Sequence, residues 1–189
     1  MAATESESRT PLQTSRKRRH IGKRNSQTFL SSGCTINLNP IGVSNSNIIP
    51  DDRFTATSYL VTSAKPHYAR LNGMYSAWIP NTNVDPNDCL QIDLGEVFVI
   101  RAVATQGHPK WPFCTKEYKI STSIDSNTWT MYQSSGKVKL FHGNTDENAV
   151  KTNVLDSPVD ARFIRFIPTK YKVWKALRVE VYGRKKLGQ

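Results

Sequence analysis

Three irregular segments of the sequence carry aromatic, histidine and lysine residues of the kind that contact ligands. These segments are residues 59–68, 72–88 and 106–115, and none of them has the period-two alternation of a strand. Aromatic rings supply apolar surface, histidine and lysine supply hydrogen bonds or charge, and a few such groups on loops can orient a ligand. Irregular segments held by a rigid scaffold are therefore where we expect the function of the chain to reside.

No catalytic or metal-binding motif accompanies these residues. The sequence lacks a Gly-x-Ser-x-Gly elbow, a His-Glu-x-x-His helix, a phosphate loop and a dinucleotide fingerprint. Two histidines, His67 and His108, could meet at a metal, but they lack the further ligands that a structural zinc site needs. The neighbouring acids Asp51 and Asp52 stand beside turn residues, which is typical of surface groups. We therefore expect a protein that is not an enzyme and that uses no metal or cofactor.

Short strands punctuated by turn residues must position the three segments. Leu90, Ile92 and Leu94 alternate with polar residues before Gly95, which indicates a strand with one apolar face. Regular alternation of this kind along the chain predicts an all-β sandwich or barrel with Trp78, Trp129 and Tyr182 in its core. The further predicted strands are residues 97–105, 118–121 paired with 129–132, 138–140, 162–167 and 177–181, and residues 142–160 are predicted to be irregular.

The strong positive charge of the 189-residue chain lies mostly at its ends. Of the net +11, residues 1–33 contribute 7 basic and 2 acidic side chains, and residues 184–189 contribute 3 basic side chains. Residues 34–183 carry 16 basic and 13 acidic side chains, a balance of only +3. We predict a disordered basic leader over 1–33, a folded domain over 34–183 and a basic tail over 184–189. No nucleic-acid-binding motif follows the leader, so a nucleic-acid partner is not expected.

The sequence offers little direct information about cellular location. No stretch approaches the roughly 20 apolar residues of a spanning helix, and the first residues do not form a secretory signal. The basic run over residues 16–19 is compatible with a solvated tail, a nuclear-import patch or a dibasic processing site. We interpret the chain as leaderless or as a fragment of a longer secreted protein.

Several sequence blocks follow one another in a characteristic order. They include Phe-Thr-Ala-Thr-Ser at 54–58, Ala-Arg-Leu-Asn at 69–72, Leu-Gln-Ile-Asp-Leu-Gly at 90–95 and Leu-Arg-Val-Glu-Val-Tyr-Gly at 177–183. In this order the blocks resemble the discoidin family, the coagulation-factor five/eight C-type domains, over residues 34–183. The resemblance implies an antiparallel jelly-roll-like β-sandwich of the galactose-binding-like type. It also implies that loops at one end bind ligands and that the family is adhesive, not enzymatic.

The resemblance places the binding loops at residues 59–68, 72–76 and 108–113, and it implies two ligand classes for them. The ligand-binding residues that it implies are Tyr59, Leu60, Lys65, His67, Met74, Tyr75, His108, Lys110, Trp111 and Phe113. We predict a non-catalytic module, extracellular or at the cell surface, that binds cell-surface glycans or a receptor protein. For a sugar, Tyr59, His67, His108 and Trp111 are the best suited residues, although Tyr59 could equally anchor its loop to the core. The alternative is peripheral binding to anionic phospholipid membranes through Leu60, Met74, Lys110 and Trp111. The domain is expected to act as an oligomer or as part of a multidomain protein.

The sequence departs from the family pattern at its cysteines. Similar domains join their two ends by a disulfide, but Arg184 stands where the second cysteine of that bridge is expected. Cys89 and Cys114 replace residues that are often aromatic in the family. The resemblance leaves open whether these two cysteines form a disulfide or remain two buried thiols. A buried ion pair between Arg70 and Asp93 is a further expectation.

Overall fold

The computed structural model describes residues 27–31 and 34–187, and within them the chain is built from antiparallel strands. Three short 3-10 helices, at Asp51–Arg53, Thr62–Ala64 and Pro66–Tyr68, lie in the connections. Most of the predicted leader, residues 1–26, lies outside the described residues, as do the last two residues of the tail. The strands are β1 Gln27–Ser31, β2 Cys34–Leu38, β3 Phe54–Ala56, β4 Leu90–Gln106, β5 Cys114–Ser123, β6 Thr130–Met131, β7 Gln133–Ser134, β8 Lys137–Val138, β9 Phe141–His142, β10 Lys151–Lys172 and β11 Arg178–Lys185.

The two longest strands, β4 and β10, run through both layers of the sandwich. Among the described residues the strand order is β11-β4-β10-β5-β6, with β3 added to β4 and β9 added to β5. The start of β4 pairs with β3 and with residues 163–166 of β10. The second half of β4 pairs with β11 and with the first half of β10. Gly95 lies between the two halves of β4 with a φ of +84°, a backbone conformation that glycine adopts without steric strain. These pairings confirm the predicted antiparallel β-sandwich.

A single large hydrophobic cluster fills the space between the layers. Its members alternate along the strands, as expected when one face of each strand points inward. Trp78 is fully buried and Tyr182 is nearly so, as predicted for both. The largest buried side chains of the cluster are Trp78, Leu90, Ile92, Ile100, Tyr118, Ile120, Phe141, Ile164, Phe166 and Leu177.

Three predicted boundaries were wrong. Strand β1 lies inside the segment assigned to a disordered leader, because its backbone pairs with β2 as a hairpin. Strand β10 begins at Lys151, within the segment 142–160 that was predicted to be irregular. Its register shifts between Val154 and Val159 and between Ala161 and Phe163, which interrupts the alternation by which a strand is recognised. The strands predicted on either side of Gly95 are one continuous bent strand.

The predicted ion pair between Arg70 and Asp93 is also wrong, because each residue has other partners. Asp93 accepts a bidentate pair of hydrogen bonds from Arg162, at 2.8 and 2.9 Å, and a bond of 2.7 Å from Arg53. Arg70 instead pairs with Asp51 at 2.5 Å. Asp93 therefore joins β4 to β10, whereas Arg70 holds the connection that precedes β3.

Cys89 and Cys114 are free thiols in this structure, so the disulfide alternative is not realised. Leu90 and Ile120 both pair with Phe166, which places them in one row across the sheet. Cys89 precedes this row by one residue and Cys114 by six, so they are offset by about 16 Å along the strands. A disulfide needs Cα atoms within roughly 7 Å.

The two ends of the domain are joined by backbone pairing and packing. The Ile41 N–H donates to the Val181 carbonyl at 2.8 Å, and the Gly183 N–H donates to the Asn39 carbonyl at 2.9 Å. Leu38 is fully buried in a small cluster with Tyr182 and two alanines of β4. These contacts replace the terminal disulfide that Arg184 rules out.

We expect Leu38→Ala to lower the free energy of unfolding by about 2–4 kcal/mol, because it leaves a cavity where the chain ends are joined. Urea denaturation followed by far-UV circular dichroism measures this change. Leu187→Ala is the matched control, since Leu187 is 76% exposed. A loss below about 1 kcal/mol for the Leu38 variant would show that this junction contributes little.

Candidate functional site

The three predicted ligand-binding segments meet at one end of the sandwich, in a surface that we call the rim (residues 59–68, 72–76 and 108–113). The Tyr68 and Tyr75 rings lie 5.2 Å apart and join the first loop to the second. The Lys110 ammonium lies 5.1 Å from the centre of the Tyr75 ring and joins the third loop to the second. The rim is therefore one continuous surface.

A buried arginine of β11 holds the rim loops in place. The Arg178 side chain is 2% exposed and donates to the carbonyls of Gly73 and Gly107, both at 2.6 Å, and of Glu147 at 3.0 Å. Burial lowers the pKa of Arg178 to about 10, so the guanidinium stays protonated at neutral pH. One planar group thus fixes the second loop, the third loop and the loop before β10.

Gly107 is needed where the third loop leaves β4. A Cβ atom at this position would lie 2.6 Å from the Phe113 carbonyl oxygen and 2.7 Å from the Glu147 Cα. Only glycine permits so close an approach of three backbone segments. The same approach brings the Gly107 and Glu147 carbonyls within reach of Arg178.

His108 is buried and supports the third loop from within. It is 4% exposed, and its Nδ1 atom accepts the N–H groups of Lys110 and Trp111, both at 3.1 Å. Nδ1 is therefore unprotonated, and the Nε2–H donates to the Ser76 hydroxyl at 3.3 Å. Burial, together with the charges of Arg178 and Lys110, lowers the pKa of His108 to about 4. Both ring nitrogens are therefore engaged within the fold, and contact between His108 and a ligand stays a prediction.

The other predicted residues divide into exposed tips and packing groups. Met74 is 79% exposed, and Tyr75 and Trp111 are exposed by about three fifths. Phe113 packs against a small cluster beneath the rim, formed by Ala64, Ala77, Ile79 and Ala176. Exposed positions also include Tyr59, Leu60 and Lys110, whereas Lys65, His67 and Phe113 are partly buried.

Sequence reasoning missed two exposed apolar residues near the predicted loops. Val61 lies inside the first loop and is 52% exposed. Val173 is 59% exposed and has a φ of +60°, a conformation that is unfavourable for a β-branched residue. It follows Lys172, which pairs with Cys114 at the end of the third loop. Only the folded chain places Val173 there, since nothing in its local sequence marks the turn.

The described part of the chain contains no group of three or more His, Cys, Asp or Glu side chains that could hold a metal ion. Nor does any helix within it have the length and apolarity to cross a membrane. The ring centres of His67 and Tyr68 lie 4.3 Å apart and the rings are tilted by 49°, whereas His108 is engaged by Ser76 and by the third loop. The rim is a surface of aromatic, aliphatic and lysine side chains.

The sequence comparison decides the family. A family model described as the F5/8 type C domain matches residues 53–181. The chain belongs to this family. The F5/8 type C domain is 36% identical over 160 residues to coagulation factor VIII of Canis lupus familiaris, with 80% of this chain and 7% of that protein covered. It is 36% identical over 165 residues to lactadherin of Bos taurus, with 80% and 38% covered. The resemblance inferred from the sequence is confirmed, and the chain matches only part of each relative.

Solved structures confirm the fold of the F5/8 type C domain. Discoidin II of Dictyostelium discoideum superposes with a TM-score of 0.64 at 21% identity, over 71% of this chain and 56% of that chain. A family 32 CBM from C. perfringens NanJ, solved in complex with galactose, has a TM-score of 0.55 at 22% identity, over 71% and 96%. Likeness at these identities establishes the shared sandwich.

We expect Arg178→Met to destabilise the domain by about 2–4 kcal/mol, because three buried carbonyl groups lose their donor. Chemical denaturation measures the loss. Arg101→Met is the control, since Arg101 is exposed on β4. An equal effect of the two variants would mean that the buried guanidinium does not hold the loops.

The depressed pKa of His108 predicts a loss of stability in mild acid. Its folded pKa of about 4 lies below the ordinary value of 6.5, so the unfolded state binds more protons between these values. Stability should therefore fall as the pH drops from about 6.5 towards 4, by roughly 2 kcal/mol. Urea midpoints from pH 7 to 4.5 measure the slope. His108→Asn should flatten the slope of stability against pH. An unchanged slope in that variant would show that another titrating group causes the loss of stability.

Proposed function

We propose that this domain is a non-catalytic recognition module that binds a cell-surface ligand through the rim. The observation that carries the proposal is the cluster of exposed apolar side chains on a rigidly held end of the sandwich. A contiguous patch of exposed apolar side chains is uncommon on soluble domains unless it forms an interaction site, whereas single exposed apolar residues are normal. Placement outside the cell or at its surface is part of the same proposal.

The exposed side chains favour a membrane surface as the ligand to test first. Met74, Trp111 and Leu60 project from different loops, and Lys65 and Lys110 lie among them. Apolar tips can enter the headgroup region while the ammonium groups meet anionic lipid. An anionic phospholipid membrane therefore fits both the shape and the charge of the rim.

A cell-surface glycan or receptor protein is the second ligand class, favoured by the aromatic arrangement. Trp111 stacks on Phe113 at 6.3 Å between ring centres and remains 59% exposed, so part of its ring is available to a partner. Tyrosine, tryptophan and methionine are typical anchors of protein interfaces. With His108 occupied internally, a sugar would depend on Tyr59, His67 and backbone groups for its hydrogen bonds. The C. perfringens module, which shares the fold and was solved in complex with galactose, supports a glycan as the second ligand class.

We expect the domain to bind vesicles that contain phosphatidylserine and not vesicles of phosphatidylcholine alone. Trp111→Ala should weaken binding about tenfold, since burial of a large side chain contributes roughly 1.5–3 kcal/mol. Lys110→Gln should weaken it about fivefold and reduce its dependence on salt. Vesicle co-sedimentation over a range of salt concentrations measures both effects, alongside a glycan array.

Matched controls test whether the rim is responsible. Ile124→Ala removes an apolar side chain that is 58% exposed outside the rim, and Lys137→Gln removes a charge outside it. Neither should alter binding. Array binding that Trp111→Ala abolishes, without vesicle binding, would select the glycan. Vesicle binding that all four variants share equally would refute a role for the rim.

A further inference from the structure

A concave surface lies on the flank of the sandwich, away from the rim. This groove has a volume of about 690 Å³, and no residue that lines it belongs to the rim. Its floor is the outer face of β5, β6 and β10, and its wall is the loop over residues 83–89. The volume falls within the range of roughly 300–1,000 Å³ that small-ligand sites occupy.

The register of the strands places two cations side by side on the groove floor. Arg165 pairs with Ser121, and Ile167 pairs with Lys119, so the four side chains share one face of the sheet. Arg165 and Lys119 are therefore diagonal neighbours. The Arg165 guanidinium lies 3.6 Å from the centre of the Trp129 ring, at the edge of the groove. Trp129 lines the groove and is only partly buried, so its prediction as a core residue was wrong.

Both cations lack an acidic partner among the residues that the structure describes. Arg165 donates through Nε to the Gln91 side chain at 2.9 Å. Its two terminal nitrogens donate to no acceptor among the described residues. The nearby acid Glu117 is engaged by Lys170, at 3.0 Å, and not by Lys119. By contrast, other lysine and arginine residues of the described chain form eight further ion pairs, and seven of these have nitrogen–oxygen distances below 3.1 Å. The groove floor thus presents uncompensated positive charge.

The groove wall is held rigidly by a buried ion pair. The Lys175 ammonium donates to the Asp88 carboxylate at 2.8 Å and to the Asp85 carbonyl at 2.6 Å, and both charged side chains are at most 3% exposed. The Lys175 N–H also donates to the Asn83 side chain at 2.9 Å. This pairing neutralises Asp88. The exposed Asp85 carboxylate, which accepts the Asn87 N–H at 2.8 Å, also lines the groove, so the two cations of the floor stand against one acid of the wall. The groove is preformed, which lowers the entropic cost of binding.

We propose that the flank groove is a second binding site, specific for an acidic saccharide whose sulfate or carboxylate group binds Arg165 and Lys119. The paired terminal N–H groups of Arg165 match the geometry of either anion. The exposed side chains of Asn87 and Thr169, an amide and a hydroxyl, also line the groove and suit sugar hydroxyls. The aromatic edge of Trp129 supplies an apolar contact. Binding here is independent of the rim.

The test uses the full chain and three tetrasaccharides: a heparin fragment with sulfates and carboxylates, a hyaluronan fragment with carboxylates only, and neutral chitotetraose. Isothermal titration calorimetry should detect at least one acidic fragment and not the neutral one. Lys119→Gln and Arg165→Gln should each weaken that binding roughly fivefold or more. The ratio between the two acidic fragments identifies the preferred anion. Far-UV circular dichroism confirms that the variants are folded.

Cys89 provides a local reporter, because this partly buried thiol lines the groove. A bound fragment should slow alkylation of Cys89 by iodoacetamide, measured by peptide mass spectrometry, and this protection should disappear in Lys119→Gln. The variants Trp111→Ala and Lys137→Gln should retain both binding and protection. These two controls separate the groove from the rim and from general charge loss.

Three results would overturn the proposal. Binding that Trp111→Ala abolishes and Lys119→Gln leaves unchanged would place the acidic saccharide at the rim. Equal losses in Lys119→Gln and Lys137→Gln would reduce the effect to overall charge. Failure of both acidic fragments to bind would remove the saccharide class. None of these results depends on whether the rim binds vesicles.

Discussion

The buried guanidinium of Arg178 is the constraint on which the rim depends. A charge removed from water must be satisfied by its surroundings, and here three backbone carbonyls from three separate loops provide the acceptors. Arg178 has no carboxylate partner within the described residues. Because backbone carbonyls can reach the guanidinium only in one arrangement, the interaction specifies loop positions as well as stabilising them. Flexible loops thereby become a defined surface.

The buried carboxylate of Glu180, also on β11, holds the connection between β2 and β3 in the same way. The Glu180 carboxylate accepts the N–H groups of Val43 and Ser44 at 2.9 and 3.0 Å, and the Ser44 hydroxyl at 2.8 Å. Arg178 and Glu180 occupy alternate positions and therefore one face of β11. That face is covered by loops instead of solvent. The strand at the edge of the sheet is thus buried on both sides, although its sequence alternates like a half-exposed strand.

The rim and the flank groove differ in their physical character. The rim presents apolar tips with lysines among them, and its one buried histidine is held neutral by burial and by neighbouring cations. The groove presents two cations on a flat sheet face beneath a wall fixed by Lys175 and Asp88. An exposed apolar convex surface suits insertion or a protein contact, whereas a concave cationic surface suits a small anion. The two proposed sites are physically separate, since no residue that lines the groove belongs to the rim.

The sequence alone determined the fold class, the family and the loops that form the rim. These follow from the period-two alternation, the turn residues and the order of the sequence blocks, all of which are local signals. The tertiary structure alone decided the partners of Asp93, the burial of His108 and the separation of Cys89 from Cys114. Each depends on strand register and on loops that meet across long sequence distances, which alternation does not encode. The groove is the clearest case, since Arg165 and Lys119 become neighbours only when β10 pairs with β5.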